Sequence, residues 1–193
     1  AEVAIHIGLG LTPGQDLYMT APTSALPLAR RISEQAYKAG AGLVTAVFSD
    51  EEMTLARFRY GQDASFDRAA GWLYDGVARA FDGNTARLAI AGDNPMLLAE
   101  QDPEKVGRAN RAMSRAYKPA QSKIVNFDIN WTIVPFPGEN WARLVFPDDD
   151  ADTAVRKLAE SSVDATGISK PEPVSAWAGH NATLKERQEW LTG

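Results

Sequence analysis

Hydrophobic residues recur along the chain at two spacings, one typical of buried strands and one typical of helices. Residues 43–48 and 88–91 are short, nearly continuous apolar runs, a pattern expected of strands that are covered on both faces. Residues 24–39, in contrast, place apolar side chains three or four positions apart, and Gly40 follows where a helix would end. The pattern therefore predicts strands that alternate with helices.

The remaining segments continue this alternation. Two further strands are expected at residues 16–20 and 131–134. Helices are predicted at residues 50–60, 65–81, 95–100, 103–117, 152–163 and 181–191. We expect Pro119 to prevent the helix at 103–117 from continuing. Together these elements predict a single α/β domain over residues 1–193, a three-layer fold with an open, largely parallel sheet and helices on both faces.

Charge and composition narrow the class of function. Twenty basic and 25 acidic residues give a net charge of −5, so we expect neither nucleic acid nor an anionic membrane as a partner. No apolar run approaches the roughly 18 residues that span a bilayer. The chain contains no cysteine, which excludes disulfides, thiolate metal ligands and a cysteine nucleophile, and which favours a cytoplasmic location.

Candidate metal ligands are few and dispersed. The only histidines are His6 and His180, and no pair with the spacing HExxH or HxH occurs. We expect both to be structural or surface residues. Carboxylates cluster at residues 50–52 and 148–152, and oxygen-rich loops can bind calcium or magnesium, but neither cluster has the spacing of a calcium loop. We predict instead that each cluster begins a helix and caps its free amides.

Other motifs for nucleotide binding or nucleophilic catalysis are weak or absent. Gly8-Leu9-Gly10 partly matches a dinucleotide fingerprint, but Pro13 occupies the place of the third glycine. There is no phosphate-binding loop and no GxSxG turn. The aromatic and proline-rich residues 130–148 could form a substrate groove, although core packing is the use that we expect.

A basic stripe is predicted on the helix at residues 103–117 and just beyond it. Its members are Lys105, Arg108, Arg111, Arg115 and Lys118, which recur at intervals of three and four. The stripe could dock nucleic acid or an acidic protein. Because Val106 and Met113 lie on the opposite side of the same helix, we expect the solvated face of an ordinary amphipathic helix.

The segment NWTIVPFPGENWARLVFPD at residues 130–148 resembles a signature of the aminopeptidase T and aminopeptidase S group of metallopeptidases. Shorter motifs agree with that group in type and order, namely LTPGQ at 11–15, AYKAGA at 36–41, FSDE at 48–51, AYKP at 116–119 and the tail at 176–191. The resemblance therefore extends over nearly the whole chain.

This resemblance implies a two-domain aminopeptidase, a hydrolase that removes N-terminal residues from peptides with two divalent ions, zinc or cobalt. It implies that the glutamate, histidine and aspartate ligands lie in a C-terminal catalytic domain beyond Gly193. No catalytic, cofactor-binding or metal-binding residue is therefore assigned to this chain. Residues 1–193 would form the N-terminal domain, inactive alone, which partners the catalytic domain and the peptide substrate in a homodimer.

A stand-alone module remains the alternative. An α/β domain that binds a small molecule, or an acidic protein through the basic stripe, would also lack catalytic residues. A downstream domain rich in glutamate and histidine would support the enzyme, and a stop codon directly after Gly193 would support the module.

Overall fold

The computed structural model describes all 193 residues, and its centre is a sheet of four parallel strands in the order β2-β1-β3-β4. The strands are β1 (Leu17–Pro22), β2 (Val44–Ser49), β3 (Ala86–Ala91) and β4 (Trp131–Pro135). Helices connect each strand to the next, as parallel pairing requires. The predicted α/β class and parallel sheet are confirmed.

Seven α-helices surround this sheet. They are α1 (Leu26–Lys38), α2 (Glu51–Tyr60), α3 (Gly71–Asp82), α4 (Pro103–Val125), α5 (Glu139–Val145), α6 (Ala151–Thr166) and α7 (Pro173–Thr192). A helical segment of the π type, Ala4–Leu9, precedes β1. The sequence pattern predicts neither this N-terminal segment nor α5. None of the helices combines the length and apolar character needed to cross a bilayer.

Alternate residues of the strands face two separate apolar cores. Leu17 and Met19 of β1 are fully buried on the face that α1 and the N-terminal segment cover. Tyr18 points to the other face, where it packs against Val77 and Phe81 of α3 beside α4. Helices therefore cover both faces of the sheet, as the three-layer prediction requires.

The sequence predicts that both faces of β2 are covered, and the structure differs. It lies at one edge of the sheet, and Leu43 and Phe48 are exposed. Helix α1 packs mainly over the central strands through Ala29 and Ile32, and no further strand lies outside β2. The apolar, β-branched run in this segment therefore reflects the preference of such residues for extended backbone, not burial.

The helix predicted at residues 65–81 is interrupted. A short 3₁₀ turn, Asp63–Asp67, is followed by an extended link and then by α3. The Arg57 guanidinium donates hydrogen bonds to the carbonyl oxygens of Ser65 and Arg68, at 2.6 and 2.9 Å. In a continuous helix, backbone N–H groups would donate to these two carbonyls. Here the Arg57 side chain donates to them instead, which stabilises the non-helical link.

Three other helix predictions also differ from the structure. The helix predicted at residues 181–191 begins earlier, as α7 with Pro173 in its first turn, where proline is well tolerated. Residues 95–100 form successive turns closed by bonds such as Leu97 N–H to the Asn94 carbonyl, since so short a segment gains little from helical nucleation. Helix α4 continues through Pro119 to Val125. Pro119 is exposed, so water can satisfy the carbonyl that loses its partner, while buried Ala120 keeps the following turn packed on the core.

A network of side-chain amides joins the amino ends of three strands. The Gln15 amide, which is 6% exposed, donates to Asn84 Oδ1 at 3.1 Å and to Asn130 Oδ1 at 2.7 Å. Asn130 Nδ2 donates to the Leu9 carbonyl at 2.9 Å and to Gln15 Oε1 at 3.1 Å. The network thus fixes the residues that enter β1, β3 and β4 relative to the N-terminal segment.

Candidate functional site

A polar crevice of about 370 Å³ lies at the carboxyl edge of the sheet, where the loops after all four strands meet. Its lining includes Thr23 and Ser24 after β1, Asp50 and Glu51 after β2, Gly92 after β3 and Asn140 after β4. The connections from β1 and β3 leave toward opposite sides of the sheet. Ligands of open parallel sheets bind at such a reversal of strand order, so this crevice is the candidate functional site of the fold.

Glu51 links three of the loops that form the crevice. One carboxylate oxygen accepts the backbone N–H of Asn94 at 2.7 Å, and the other accepts Asn140 Nδ2 at 2.8 Å. Burial raises the pKa of the neighbouring Asp93 carboxyl, and the negative charge of Glu51 raises it further. Glu51 is therefore well hydrogen-bonded within the crevice, whereas Asp93, which lies beside the crevice and does not line it, has a raised pKa.

Asp50 caps α2 at the rim of the crevice. Its carboxylate accepts the backbone N–H of Met53 at 2.9 Å and the Thr23 hydroxyl at 3.1 Å. These hydrogen bonds, first that of Met53 and then that of Thr23, lower the pKa of Asp50. The prediction that residues 50–52 begin a helix and cap its amides is confirmed.

Two glycines permit the loops after β3 and β4 to meet. A Cβ atom at Gly92 would lie 2.3 Å from the Phe136 carbonyl oxygen, and one at Gly138 would lie 2.6 Å from the Gly92 carbonyl oxygen. Neither position can accept a side chain without backbone movement. The close approach keeps the floor of the crevice polar and narrow, and its carboxylate, hydroxyl and carbonyl oxygens suit a ligand that donates hydrogen bonds.

The second acidic cluster lies away from the crevice. Asp150 accepts the backbone N–H of Thr153 at 3.0 Å and caps α6, and that hydrogen bond lowers the pKa of Asp150. Asp149 pairs with Lys157 at 2.6 Å. Capping is therefore confirmed for this cluster as well.

Metal-ligating side chains do not converge anywhere in the chain. His6 is exposed on the N-terminal segment, and His180 is exposed on α7 with its ring edge-on to Trp177. No group of three or more histidine, aspartate and glutamate side chains could share an ion. The residues present here do not fit a two-metal centre, and the assignment of no ligand to this chain stays a prediction.

The basic stripe is only partly the solvated face that its spacing predicts. The Arg108 side chain is 18% exposed and pairs with Asp63 at 2.9 Å and Asp67 at 2.6 Å, which lowers the pKa of Asp67. Lys105 lies over the Phe66 ring, 5.4 Å from its centroid. The exposed members are Arg111, Arg115 and Lys118. The expectation was wrong for Arg108 because the turn at residues 63–67 folds against α4, a contact between segments distant in sequence.

The aromatic segment at residues 130–148 is used mainly for packing. Phe136 packs against the main core, and Trp141 and Phe146 pack against the cluster between α5 and α6. Trp131 stacks on Phe127 with the ring centroids 6.2 Å apart. The expected core packing is confirmed for Phe136, Trp141 and Phe146, whereas Trp131 stacks on an exposed ring.

The sequence pattern does not single out Thr23, Ser24 or Asn140 as candidate residues. Short polar residues of this kind are common in loops, so their type alone gives no signal. The useful signal is positional, because the carboxyl ends of parallel strands lie at one edge and the residues just after them meet there.

Comparison with known proteins supports the resemblance noted in the sequence. The thermophilic metalloprotease family M29 matches residues 1–193. The chain is 44% identical over 191 residues to aminopeptidase T of Thermus thermophilus, 42% identical to aminopeptidase T of Thermus aquaticus and 31% identical to aminopeptidase 2 of Geobacillus stearothermophilus. Each alignment covers 99% of this chain and 47%, 47% and 46% of the respective relative. The chain thus spans about half the length of the curated relatives it matches.

A solved structure shares the fold. Wild-type AmpT from Thermus thermophilus matches with a TM-score of 0.88 and 44% sequence identity, over 94% of this chain and 44% of that chain. Sequence and structure therefore agree along the same residues, and the predicted resemblance to the aminopeptidase T group is confirmed. Because the family match extends over all 193 residues, the chain belongs to the thermophilic metalloproteases of family M29.

Proposed function

We propose that this chain is the N-terminal, non-catalytic domain of a metal-dependent aminopeptidase that hydrolyses N-terminal residues from peptides. One observation carries the proposal: the chain aligns over 99% of its length with aminopeptidases T but accounts for only 47% of theirs. In this proposal, an enzyme of this group contains a second domain about as long as this chain. The divalent ions, zinc or cobalt, and their ligands belong to that second domain.

The distribution of side chains in this half supports the division of labour. A catalytic metal polarises the scissile carbonyl and generates hydroxide near neutral pH, which requires several ligands directed at one point. Here His6 and His180 are on separate exposed helical segments, while Asp50, Glu51 and Asp150 are held in hydrogen bonds to the backbone. This half therefore contributes shape and contacts to the enzyme, and the other half contributes the chemistry.

The same proposal extends to the assembly and location of the enzyme. The N-terminal domain shapes access of the peptide to the metal site and supports a homodimer, as the resemblance to the aminopeptidase T group implies. A cytoplasmic location is supported by the absence of cysteine from this half. Size-exclusion chromatography with light scattering on the complete gene product measures the dimer, and a monomer at micromolar concentration would contradict it.

A turnover assay tests the division of labour. The complete gene product and the chain of residues 1–193 are each offered a chromogenic aminoacyl substrate with added zinc or cobalt, after circular dichroism has shown that the short chain is folded. We expect chelator-sensitive turnover by the complete protein, restored by the metal, and none by the short chain. The short chain is also expected to retain no stoichiometric metal after dialysis, because it lacks a converging set of ligands.

Two results would contradict the proposal. Turnover by the short chain that follows the protein peak through purification and is lost in a His6→Ala or His180→Ala variant would place catalysis in this half. A metal-loaded complete protein without turnover on any aminoacyl substrate would instead favour the stand-alone binding module.

A further inference from the structure

A long groove of about 870 Å³ lies between the N-terminal segment, α1, β4, α6 and the start of α7. Apolar side chains make up much of its lining, among them Ile7, Leu28, Ile133, Val163, Ile168 and Trp177. Ile133 is 55% exposed and Ile168 is 42% exposed. Large apolar side chains gathered in one open groove mark a surface that another body covers.

The outer edge of β4 adds unpaired backbone groups to this groove. β4 pairs only with β3, so its other edge offers free N–H and C=O groups beside the exposed Ile133. Thr132 to Pro135 also line the groove. An uncovered edge strand with apolar side chains is a template for unwanted pairing, which native proteins avoid by covering it.

Helix α7 begins at the groove and extends beyond it. Its 20 residues include none that is buried, although Val174 and Trp177 are half-buried and the Trp177 indole donates to the Thr166 carbonyl at 2.8 Å. Leu184 and Leu191 follow Trp177 by seven and fourteen residues, so they lie on the same face of the helix. Most of a helix's stability in a protein comes from tertiary packing, yet the leucines of α7 beyond Trp177 are exposed in this chain.

Three of the charged side chains at the rim of the groove pair with one another. Glu34 accepts from Lys38 at 2.7 Å and from Arg31 at 3.3 Å, and all three side chains line the groove. A partner therefore does not need to neutralise Glu34, and an apolar partner surface can lie on the apolar floor beside this group of ion pairs.

We infer that this surface, which we call the β4–α7 face, is the docking site for the metal-bearing half of the same polypeptide. It comprises the groove, the outer edge of β4 and the Trp177 side of α7. The inference rests on the proposed function, which supplies the occupant: the aligned relatives are about twice as long as this chain, so each carries a second covalent body of similar size. A covalently joined domain associates intramolecularly, at an effective concentration set by its linker, and can therefore cover such a face permanently.

Hydroxyl-radical footprinting of the complete wild-type gene product, read by peptide mass spectrometry, tests the inference with controls that the chain itself provides. Leu184 and Leu191 are 47% and 75% exposed in this half, and Leu43, at the far edge of the sheet beside β2, is 57% exposed. Exposure within this half alone would give the three leucines similar oxidation rates. We expect Leu184, Leu191 and Ile133 to be oxidised several-fold more slowly than Leu43, normalised for residue type.

A charged variant gives a second readout. Because Leu184 and Leu191 contact nothing in this half that buries them, Leu184→Glu combined with Leu191→Glu should lower the Tm of the complete protein, whereas the matched control Leu43→Glu should not. Oxidation of Leu184 and Leu191 at the rate of Leu43, or an unchanged Tm in the double variant, would overturn the inference. Protection that disappears on dilution would also overturn it, because a second copy would then be the occupant.

The outcomes separate this inference from the proposed function. Footprinting does not require activity, so a protected face in a protein without aminopeptidase turnover would contradict the proposed function and support the docking face. Metal-dependent turnover by a protein whose β4–α7 face stays fully reactive would support the proposed function and contradict the docking face.

Discussion

Replacing Gln15 by alanine should destabilise the fold more than any other substitution of an uncharged polar side chain, because Gln15 is the centre of the amide network. The substitution removes the donor to Asn130 Oδ1 and the acceptor for Asn130 Nδ2, at 2.7 and 3.1 Å. Asn84 and Thr12 also lose a partner, but both are exposed and water can replace it.

The expected magnitude follows from the half-buried Asn130. An orphaned buried acceptor costs about 1–3 kcal/mol. The loss of Gln15's buried methylene adds roughly 0.8 kcal/mol. The sum is about 2–4 kcal/mol, which for a chain of this size lowers the Tm by roughly 5–15 °C.

Equilibrium urea unfolding measures this effect, with Gln121→Ala as the matched control. Gln121 is exposed on α4 and makes no side-chain hydrogen bond, so its substitution should change the free energy of unfolding by less than about 0.5 kcal/mol. A double-mutant cycle of Gln15→Ala with Asn130→Ala should give a coupling of about 1–3 kcal/mol. A Gln15→Ala variant as stable as the control would refute the reasoning that the network secures the amino ends of the strands.

Three further predictions concern charge, backbone approach and pH. Arg108→Ala should lower the Tm clearly more than Arg111→Ala, because only Arg108 bridges α4 to the turn at residues 63–67; equal Tm values would show that the ion pairs contribute nothing. Gly92→Ala should lower the free energy of unfolding in urea by about 1–3 kcal/mol. Gly76→Ala, with open space around the new Cβ, should be neutral or slightly stabilising. A neutral Gly92→Ala would show that the loop after β4 moves to accept the new Cβ. Because the pKa of Asp93 is higher in the folded state than in the unfolded state, ionisation of Asp93 destabilises the fold as the pH rises through that interval. Asp93→Asn should therefore be more stable than wild type at neutral pH, and the difference should vanish below the ordinary aspartate pKa. A pH-independent difference in stability would contradict the raised pKa.

The alternation of strands and helices could be predicted from the sequence because it depends on local spacing. β1 and β3 carry alternating or continuous apolar residues that fill the main core, and Asp50 and Asp150 mark the starts of α2 and α6 by capping. The boundaries that failed depend on distant contacts. The interruption before α3 requires Arg57, and the continuation of α4 past Pro119 requires packing of the following turn on the core.

The candidate site could be predicted only in part. The sequence shows the carboxylates of residues 50–52 and predicts their capping role. It does not show that they line a crevice. Gly92 and Gly138 give no sequence signal for their mutual approach, since glycine is common in loops. The raised pKa of Asp93 likewise depends in part on the charge of Glu51, which follows a different strand. The shape and the polar lining of the crevice therefore depend on contacts between distant segments, which residue type alone does not reveal.

Anomalous diffraction at the zinc or cobalt absorption edge, from a crystal of the complete gene product, would locate the bound metal. We predict two strong peaks, with every protein ligand outside residues 1–193, and no peak near His6, His180 or the crevice beside Glu51. A peak ligated by any side chain of residues 1–193 would contradict the claim that this half of the enzyme leaves the metal chemistry to its partner domain.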